Sequence, residues 1–282
     1  MLNIYAILVL AANLPIGLAN LLSICQAAFY GIGAYFSAYF LMQWDLPFIA
    51  VAIVVMFLTG LCSLIVSLAS IKLKGDYFVM VTLAFQMIVF TILYNWTDVT
   101  NGPYGISGIP SVKFFGQISI SGIFGYFLLT TLVAFLVVLL LRNLKESPFG
   151  RVLTAIRSDE LAVLSVGRNP ATFKNYAFFI SAAFSGLAGL LYASYISYID
   201  PTSFTLDESI FILTALFIGG IGNTKGPILG ALFVVLLPEI LRFMGLPDAI
   251  AANLRQIIYG LALVIIMYFR PQGIMGQIKI EN

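Results

Sequence analysis

The chain has 282 residues, of which 61% are hydrophobic and only 9% charged, with a formal net charge of +2 and no histidine. A soluble domain carries about a quarter of its residues as charges, so this chain cannot cover a globular surface with polar groups and reads as a membrane protein. The small net charge and the lack of any nucleic-acid-binding motif exclude nucleic acid as a partner. The missing histidine removes the commonest proton shuttle and metal ligand, so neither catalysis nor a metal site is expected.

An apolar helix needs about 20 residues to cross roughly 30 Å of hydrocarbon. By that rule spans are expected near 2–20, 24–42, 47–71, 77–95, 121–141, 175–198, 209–221, 227–243 and 254–270. The fold class is therefore all-α: a polytopic bundle of about 8–9 transmembrane helices with one or two broken or re-entrant segments. The opening MLNIYAILVL has no cationic start and leads into further spans, so it reads as a retained membrane segment. The stretch from 14 to 34 is interrupted by Pro15, Asn20, Ser23 and Gln26. Cys25 and Cys62 lie inside apolar runs, where cysteine acts as a small hydrophobe.

The loop from 96 to 120 is rich in turn formers, including Asn101-Gly102-Pro103 and Gly108-Ile109-Pro110. Residues 147–174 then bring charges every few positions with no run long enough to cross a bilayer. On a helical wheel Phe149, Val152, Leu153 and Ile156 share one face while Arg151, Thr154 and Ser158 share the other, the pattern of a short amphipathic helix. Ser158 before Asp159 and Glu160 suits the N-cap of a second helix, which Gly167 ends. Asn169-Pro170 repeats the start signal ahead of the next span. This segment is either a docking element or a solvated loop whose basic residues fix topology.

Further on, "FIGGIGNTKGPILGA" sets glycines and a proline between two short apolar runs. This place and the interrupted stretch near 20 are either broken helices beside a pathway or sites of close packing through small residues. Pro238 beside Glu239 points to a break near a helix end.

Orientation follows the basic residues. Arg142, Lys145, Arg151, Arg157, Arg168 and Lys174 cluster in one loop, which is therefore expected to be cytoplasmic. Lys72, Lys74, Arg270 and Lys279 fall on the same side, and Asp200, Asp207 and Glu208 form an acidic outer loop. Eight spans would put the N-terminus inside and nine outside, and the parity stays open.

The segment "SPFGRVLTAIRSDELAVLSVGRNPATFKNYAFFISAAFSGLAGLLYA" resembles the cytoplasmic loop and following span of permease subunits of branched-chain amino acid ABC importers of the LivM type. "SICQAAFYGIGAYFSAYF", "GDYFVMVTLAF", "TNGPYGISGIP", "IGGIGNTKGPILGALF" and "YGLALVIIMYFRPQGIMG" are similar to further blocks of that family, in its order. The resemblance implies one permease domain over 1–282, with 147–170 as a coupling loop like the EAA region, seated in a cleft of a cytoplasmic ATPase. It assigns Arg151, Arg157, Asp159, Glu160 and Gly167 to that element, although EAA here becomes Glu160-Leu161-Ala162. It also implies a homologous second permease, two ATPase subunits that bind ATP and Mg, an extracytoplasmic binding protein, and residence in a bacterial or archaeal cytoplasmic membrane. No cofactor is expected in this chain, and G-x-x-x-x-G-K-[ST] is absent, so ATP energy comes from another subunit. Where the family tends to have glycine, glycine and histidine, this chain has Asn20, Cys25 and Gln26.

A zwitterion crossing apolar helices needs polar partners or water. Asn20, Ser23, Gln26, Thr82 and Gln86 are the candidate pathway residues, with Asn95 and the region of Asn223 and Thr224 behind them. Each also reads as a plain helix–helix hydrogen bond. Thr82 and Gln86, one turn apart, share a face. The competing functions are the same architecture importing urea, short amides or a sugar, a stand-alone secondary transporter, and a membrane scaffold or sensor. The secondary transporter would want an intramembrane acid, and Glu239 is the one acid near a span interior.

Overall fold

The computed structural model describes residues 1–276 apart from 45, 74, 111–112, 115–117, 120–121, 244–247 and 270–272. Lys74, Arg270 and Lys279, used above for orientation, lie outside the described residues. The fold is helical almost throughout: α1 (Leu2–Asn13), α2 (Gln26–Gln43), α3 (Phe48–Lys72), α4 (Asp76–Asn95), α5 (Thr97–Thr100), α6 (Ile123–Glu146), α7 (Pro148–Ser158), α8 (Glu160–Ser165), α9 (Pro170–Ile196), α10 (Leu206–Gly219), α11 (Lys225–Phe243) and α12 (Asp248–Phe269). Five helical stretches among the described residues, within α3, α4, α6 and α9 and over Pro201–Gly219, are long and apolar enough to cross a membrane. Leu2–Leu18 and Gln256–Ile266 are shorter apolar helices. The protein is an all-α, multi-pass membrane protein.

Among the described residues the strands are four residue pairs. β1 (Ile106–Ser107) joins β4 (Tyr198–Ile199) antiparallel, pairing Ile106 with Ile199, and β2 (Lys113–Phe114) joins β3 (Ile118–Ser119). The first pair ties the turn-rich loop to the loop after α9. Phe204, in the 3-10 turn Pro201–Phe204 that follows, is fully buried against Tyr30, Tyr35 and Tyr192.

The centre of the bundle is α9, whose apolar window is 83% buried while those of α3, α4 and α6 are buried by 39% or less. Glycines allow its close approach to α2 and α3. A Cβ on Gly33 would lie 2.3 Å from the Gly186 Cα, and one on Gly186 would lie 2.5 Å from the Thr59 hydroxyl oxygen. Small residues bring helix backbones together in membranes because apolar side chains gain nothing there over lipid.

Among the described residues Pro15 and Pro238 lie past the first turn of a continuous helical stretch, and each freed carbonyl is taken by a hydroxyl from another helix. Pro15 has no N–H to offer Ala11, and the helix continues from Leu14 to Leu18 in the wider π form. The Ala11 carbonyl accepts from Leu14 N–H and from the Ser181 hydroxyl at 2.8 Å. Pro238 likewise cannot bond Val234, whose carbonyl accepts from Tyr259 at 2.5 Å. The break expected at Pro238 therefore does not form: α11 runs on to Phe243, and Glu239 is exposed. Re-satisfying the carbonyl from a neighbouring helix is what lets proline persist at membrane depth.

Candidate functional site

The charged loop folds as two helices. Ser147 caps α7, accepting from Gly150 N–H at 3.4 Å, and Pro148 occupies the first helical position. Leu153 and Ile156 are buried and Phe149 and Val152 partly so, while Arg151, Thr154 and Ser158 are exposed, which is the division expected from the wheel. Phe149 stacks on Phe173 of α9 with ring centroids 5.7 Å apart.

The second cap differs from the sequence expectation. Asp159, not Ser158, caps α8: its Oδ1 accepts from Leu161 N–H at 2.8 Å and Ala162 N–H at 3.2 Å. A carboxylate satisfies two amides at the positive end of the helix, which a neutral hydroxyl does less well. Gly167 ends α8 at φ +79, a backbone region that glycine enters freely, and Asn169 caps α9 by accepting from Ala171 N–H. The far side of α8 is apolar and open: Leu161, Leu164 and Val166 are exposed, flanked in the chain by exposed Asp159 and Arg168.

Arg157 and Glu160 turn back into the bundle. Arg157 Nη1 donates to the Gly17 carbonyl at 2.7 Å, and Glu160 Oε1 accepts from Lys174 Nζ at 2.9 Å. Lys174 is almost fully buried. Burial also lowers the Arg157 guanidinium from its usual value, although arginine stays charged throughout the physiological range. These groups line a polar cup of about 380 Å³ with Asn20, Leu73 and Ser158. Asn20 is exposed at φ +55. It thus shares a site with the loop residues and stands apart from the other four pathway residues.

Those four gather where α2 begins, in the middle of the bundle. No side chain of α2's own caps it, and the donors at its start are satisfied from other helices. The Ser209 hydroxyl accepts from Ala27 N–H at 3.0 Å, and Gln86 Oε1 accepts from Ala28 N–H at 2.7 Å and from Ser209 Oγ. Gln86 Nε2 donates to the Phe204 carbonyl at 2.9 Å. Thr82 Oγ1 accepts from Ile24 N–H at 3.1 Å and donates to Val79. Gln26 donates to Ser181 and accepts from Ser185. All three are buried with their polar groups engaged inside the chain. Thr82 and Gln86 share one face, as the spacing requires. Ser23 is buried too, and its hydroxyl finds no hydrogen-bond partner among the described residues. Asn95 bonds back to its own helix at Thr91.

The two interrupted places in the sequence form one junction. Asn13, at the end of α1, accepts from Gly222 N–H at 2.9 Å and donates to the Asn223 carbonyl at 2.8 Å, clamping the turn between α10 and α11. A Cβ on Gly17 would lie 2.8 Å from Gly222 N. The segment at 273–276 adds Ile274 N–H to Ile218 O and Met275 N–H to Gly219 O, both 3.0 Å, and accepts from Asn223 Nδ2. Sequence reasoning missed Asn13 because it sits in an apolar run. Its signal was position: a lone amide two residues before Pro15 and one turn before Gly17.

At the opposite end Tyr5 donates to Glu208 at 2.5 Å, so Glu208 is bonded to α1 and only Asp207 of that pair is exposed. Asp200 accepts from Thr202 and Ser203. Tyr5 and Asn13 therefore fix α1's direction, from the end that holds residues 198–208 to the end that holds α7 and α8.

Residues 1–267 match the family model described as branched-chain amino acid transport system / permease component. The high-affinity branched-chain amino acid transport system permease protein LivM of Escherichia coli (strain K12) is 33% identical over 305 residues, covering 99% of this chain and 70% of that protein. The probable branched-chain amino acid transport permease protein LivM of Methanocaldococcus jannaschii is 31% identical over 74% of this chain and 63% of that protein. LivH of Escherichia coli (strain K12) is 24% identical over 99% of this chain and 93% of that protein. No solved structure matches. Matched along nearly its whole length and carrying the loop and junction just described, the chain belongs to the branched-chain amino acid transport system permease family.

Proposed function

We propose that this chain is the membrane-spanning permease subunit of a binding-protein-dependent ABC importer that translocates branched-chain amino acids with ATP hydrolysed by separate subunits. The family match supports the importer and its cargo, and the likeness to both LivM and LivH supports pairing with a homologous second permease. The observation that carries the mechanism is the open side of α8. Leu161, Leu164 and Val166 are exposed at a short capped helix that lies between exposed Asp159 and Arg168 in the chain, and exposed apolar surface rimmed by charge marks a protein contact. An ATPase cleft that takes this helix would move α6 and α9, which flank the loop.

By the charge rule this end is cytoplasmic. The direction of α1 then favours nine crossings with the N-terminus outside, in a bacterial or archaeal cytoplasmic membrane. Inside the chain, Thr82, Gln86 and Gln26 hold the start of α2, so the cargo path runs along the face shared with the second permease. A site that need not bind tightly suits a permease loaded by a separate binding protein, which would meet the β1–β4 end and Asp207.

The test is reconstitution of this chain with its partner permease, ATPase subunits and binding protein in proteoliposomes. ATP-dependent uptake of leucine, isoleucine or valine is expected. Uptake by this chain alone on an ion gradient, or preference for urea, an amide or a sugar, would overturn the assignment.

A further inference from the structure

Arg157 belongs by sequence to the loop that faces the ATPases, yet its guanidinium points the other way. It is half-buried and donates to the Gly17 carbonyl, 140 positions earlier in the chain, at 2.7 Å. Among the described residues no ion pair is made to it. Gly17 lies in the π-helical turn that follows α1, and the chain beyond it leaves helical form until Gln26. The last carbonyls of a helix have no partners within it and carry the negative end of its dipole, so a cation placed there is bound by both effects.

What Gly17 touches makes this bond more than a cap. A Cβ added there would run into Gly222 N and the Asn13 amide, and Asn13 holds Gly222 and Asn223. The turn they form is bonded to the segment at 273–276. On the other side of Gly17, a few residues of irregular chain lead to the start of α2, held by Ser209, Gln86 and Thr82. One guanidinium therefore links the loop helix α7 to the point where the α1–α2 break, the α10–α11 turn and the 273–276 segment meet.

Resting on the permease reading above, we propose that Arg157 is a positioning residue: a strut that carries displacement of α7 to the broken α1–α2 segment, and does not itself bind an ATPase. Movement of α7 pulls on a carbonyl at the end of the π-helical turn, where the chain passes into an irregular stretch that gives way more readily than a closed helix. Lysine at 157 keeps the charge but has a single ammonium in place of a planar fork, and glutamine loses the charge.

The experiment uses the full complex in nanodiscs, comparing wild type, Arg157→Lys and Arg157→Gln. Two quantities are measured: amino acid molecules moved per ATP hydrolysed, and ATPase subunit recovered per permease on purification. The strut predicts that Arg157→Gln lowers the transport ratio at least tenfold and Arg157→Lys lowers it less, with ATPase recovery equal to wild type in both. A transport ratio within twofold of wild type in Arg157→Gln overturns it. So does a loss of ATPase recovery that accounts for the lost uptake, which would make Arg157 a docking residue. If Arg157→Gln does not assemble, the decision falls to Arg157→Lys, where an unchanged ratio refutes the strut. Wild type without ATP-dependent uptake would instead sink the importer reading, independently of Arg157.

Discussion

The ion pair between Glu160 and Lys174 makes a quantitative test of how the charged loop is anchored. Lys174 Nζ lies 2.9 Å from Glu160 Oε1, with the lysine side chain 5% exposed and the glutamate 28%. Removing one partner of a fully buried pair costs about 3–5 kcal/mol, because the remaining charge is stranded without water. The two ends of this pair are unequal in that respect. Glu160→Gln leaves an ammonium with almost no access to water, and partial screening from the glutamate side brings the expected cost to about 2–3 kcal/mol. Lys174→Met leaves a carboxylate that is still partly hydrated, for a cost of about 1 kcal/mol. The double variant strands nothing and is expected within about 1 kcal/mol of wild type, since an apolar replacement of similar length fills the buried lysine site.

Thermal unfolding of the purified protein in one detergent, followed by intrinsic fluorescence at a fixed scan rate, reads these costs. For a chain of this size about 1 kcal/mol corresponds to roughly 2–4 °C. Glu160→Gln should therefore fall by at least about 4 °C, Lys174→Met by less, and the double variant should recover most of the loss. Unfolding here is a rate-dependent quantity, so the order of the variants decides. Additive losses in the double variant, or Lys174→Met as the worst of the three, would refute the argument that burial asymmetry sets the cost.

Tyr259→Phe removes the donor to the Val234 carbonyl freed by Pro238, leaving it unsatisfied for about 1–3 kcal/mol; the same melting assay should register it, and the added variant Pro238→Ala should reverse part of the loss. Gly33→Ala places a methyl 2.3 Å from the Gly186 backbone, which must push α2 from α9 at a cost of about 1–3 kcal/mol or more; lower yield of folded protein is expected, and wild-type yield would contradict the packing. Asn13→Ala strands Gly222 N–H and the Asn223 carbonyl and should cost about 1–3 kcal/mol, with faster proteolysis or hydrogen exchange confined to the α10–α11 turn as its signature. Leu161→Asp adds a charge to the exposed side of α8; the melting temperature should stay within about 2 °C of wild type while ATPase recovery on purification drops, and unchanged recovery would remove α8 from the docking surface.

The sequence made legible what local chemistry decides alone. The face of α7, the glycine at the end of α8, and the Asn169-Pro170 start of α9 follow from periodicity and capping, and all three appear at the expected residues. The apolar runs likewise located the helices to within a few residues. What could not be read were partners distant in the chain. Nothing near Pro238 announces Tyr259, so a continuous helix looked like a broken one. Nothing near Arg157 announces Gly17, so the resemblance could assign this side chain to the coupling element but not show that it turns into the bundle. Thr82 and Gln86 stood out as polar groups in apolar helices, but their neighbours at the start of α2 come from α10 and from the loop after β4. Residues with the same sequence signature can either line a path or fasten a helix end, and only the identity of the acceptor distinguishes the two.

The same accounting bears on how such a bundle can move. Two interruptions in the described helices near the loop end are held in part by side chains from elsewhere, Asn13 at the α10–α11 turn and Arg157 at Gly17, and Ser181 does the same for Ala11 nearer the middle of the bundle. Helix ends closed by the backbone alone resist rearrangement, because opening them strands amides in hydrocarbon. Ends closed by side chains have a lower threshold, since a hydroxyl, amide or guanidinium can swing to water or to another carbonyl as the helices shift. The first two of these contacts sit at one end of the molecule, beside the loop helices. At the other end Tyr5–Glu208 ties the start of α10 to α1, and the β1–β4 pair ties the loop after α5 to the one after α9. The arrangement concentrates the exchangeable contacts where force from an ATPase would arrive, so rearrangement should begin at the junction of Gly17 and Gly222 while the β1–β4 end keeps its bonds. Hydrogen exchange on the assembled complex, with and without ATP, would see that order directly: deprotection at residues 18–24 and 220–224 ahead of 106–107 and 198–199. Simultaneous deprotection at both ends would mean that the bundle moves as a rigid body and that the interruptions serve packing alone.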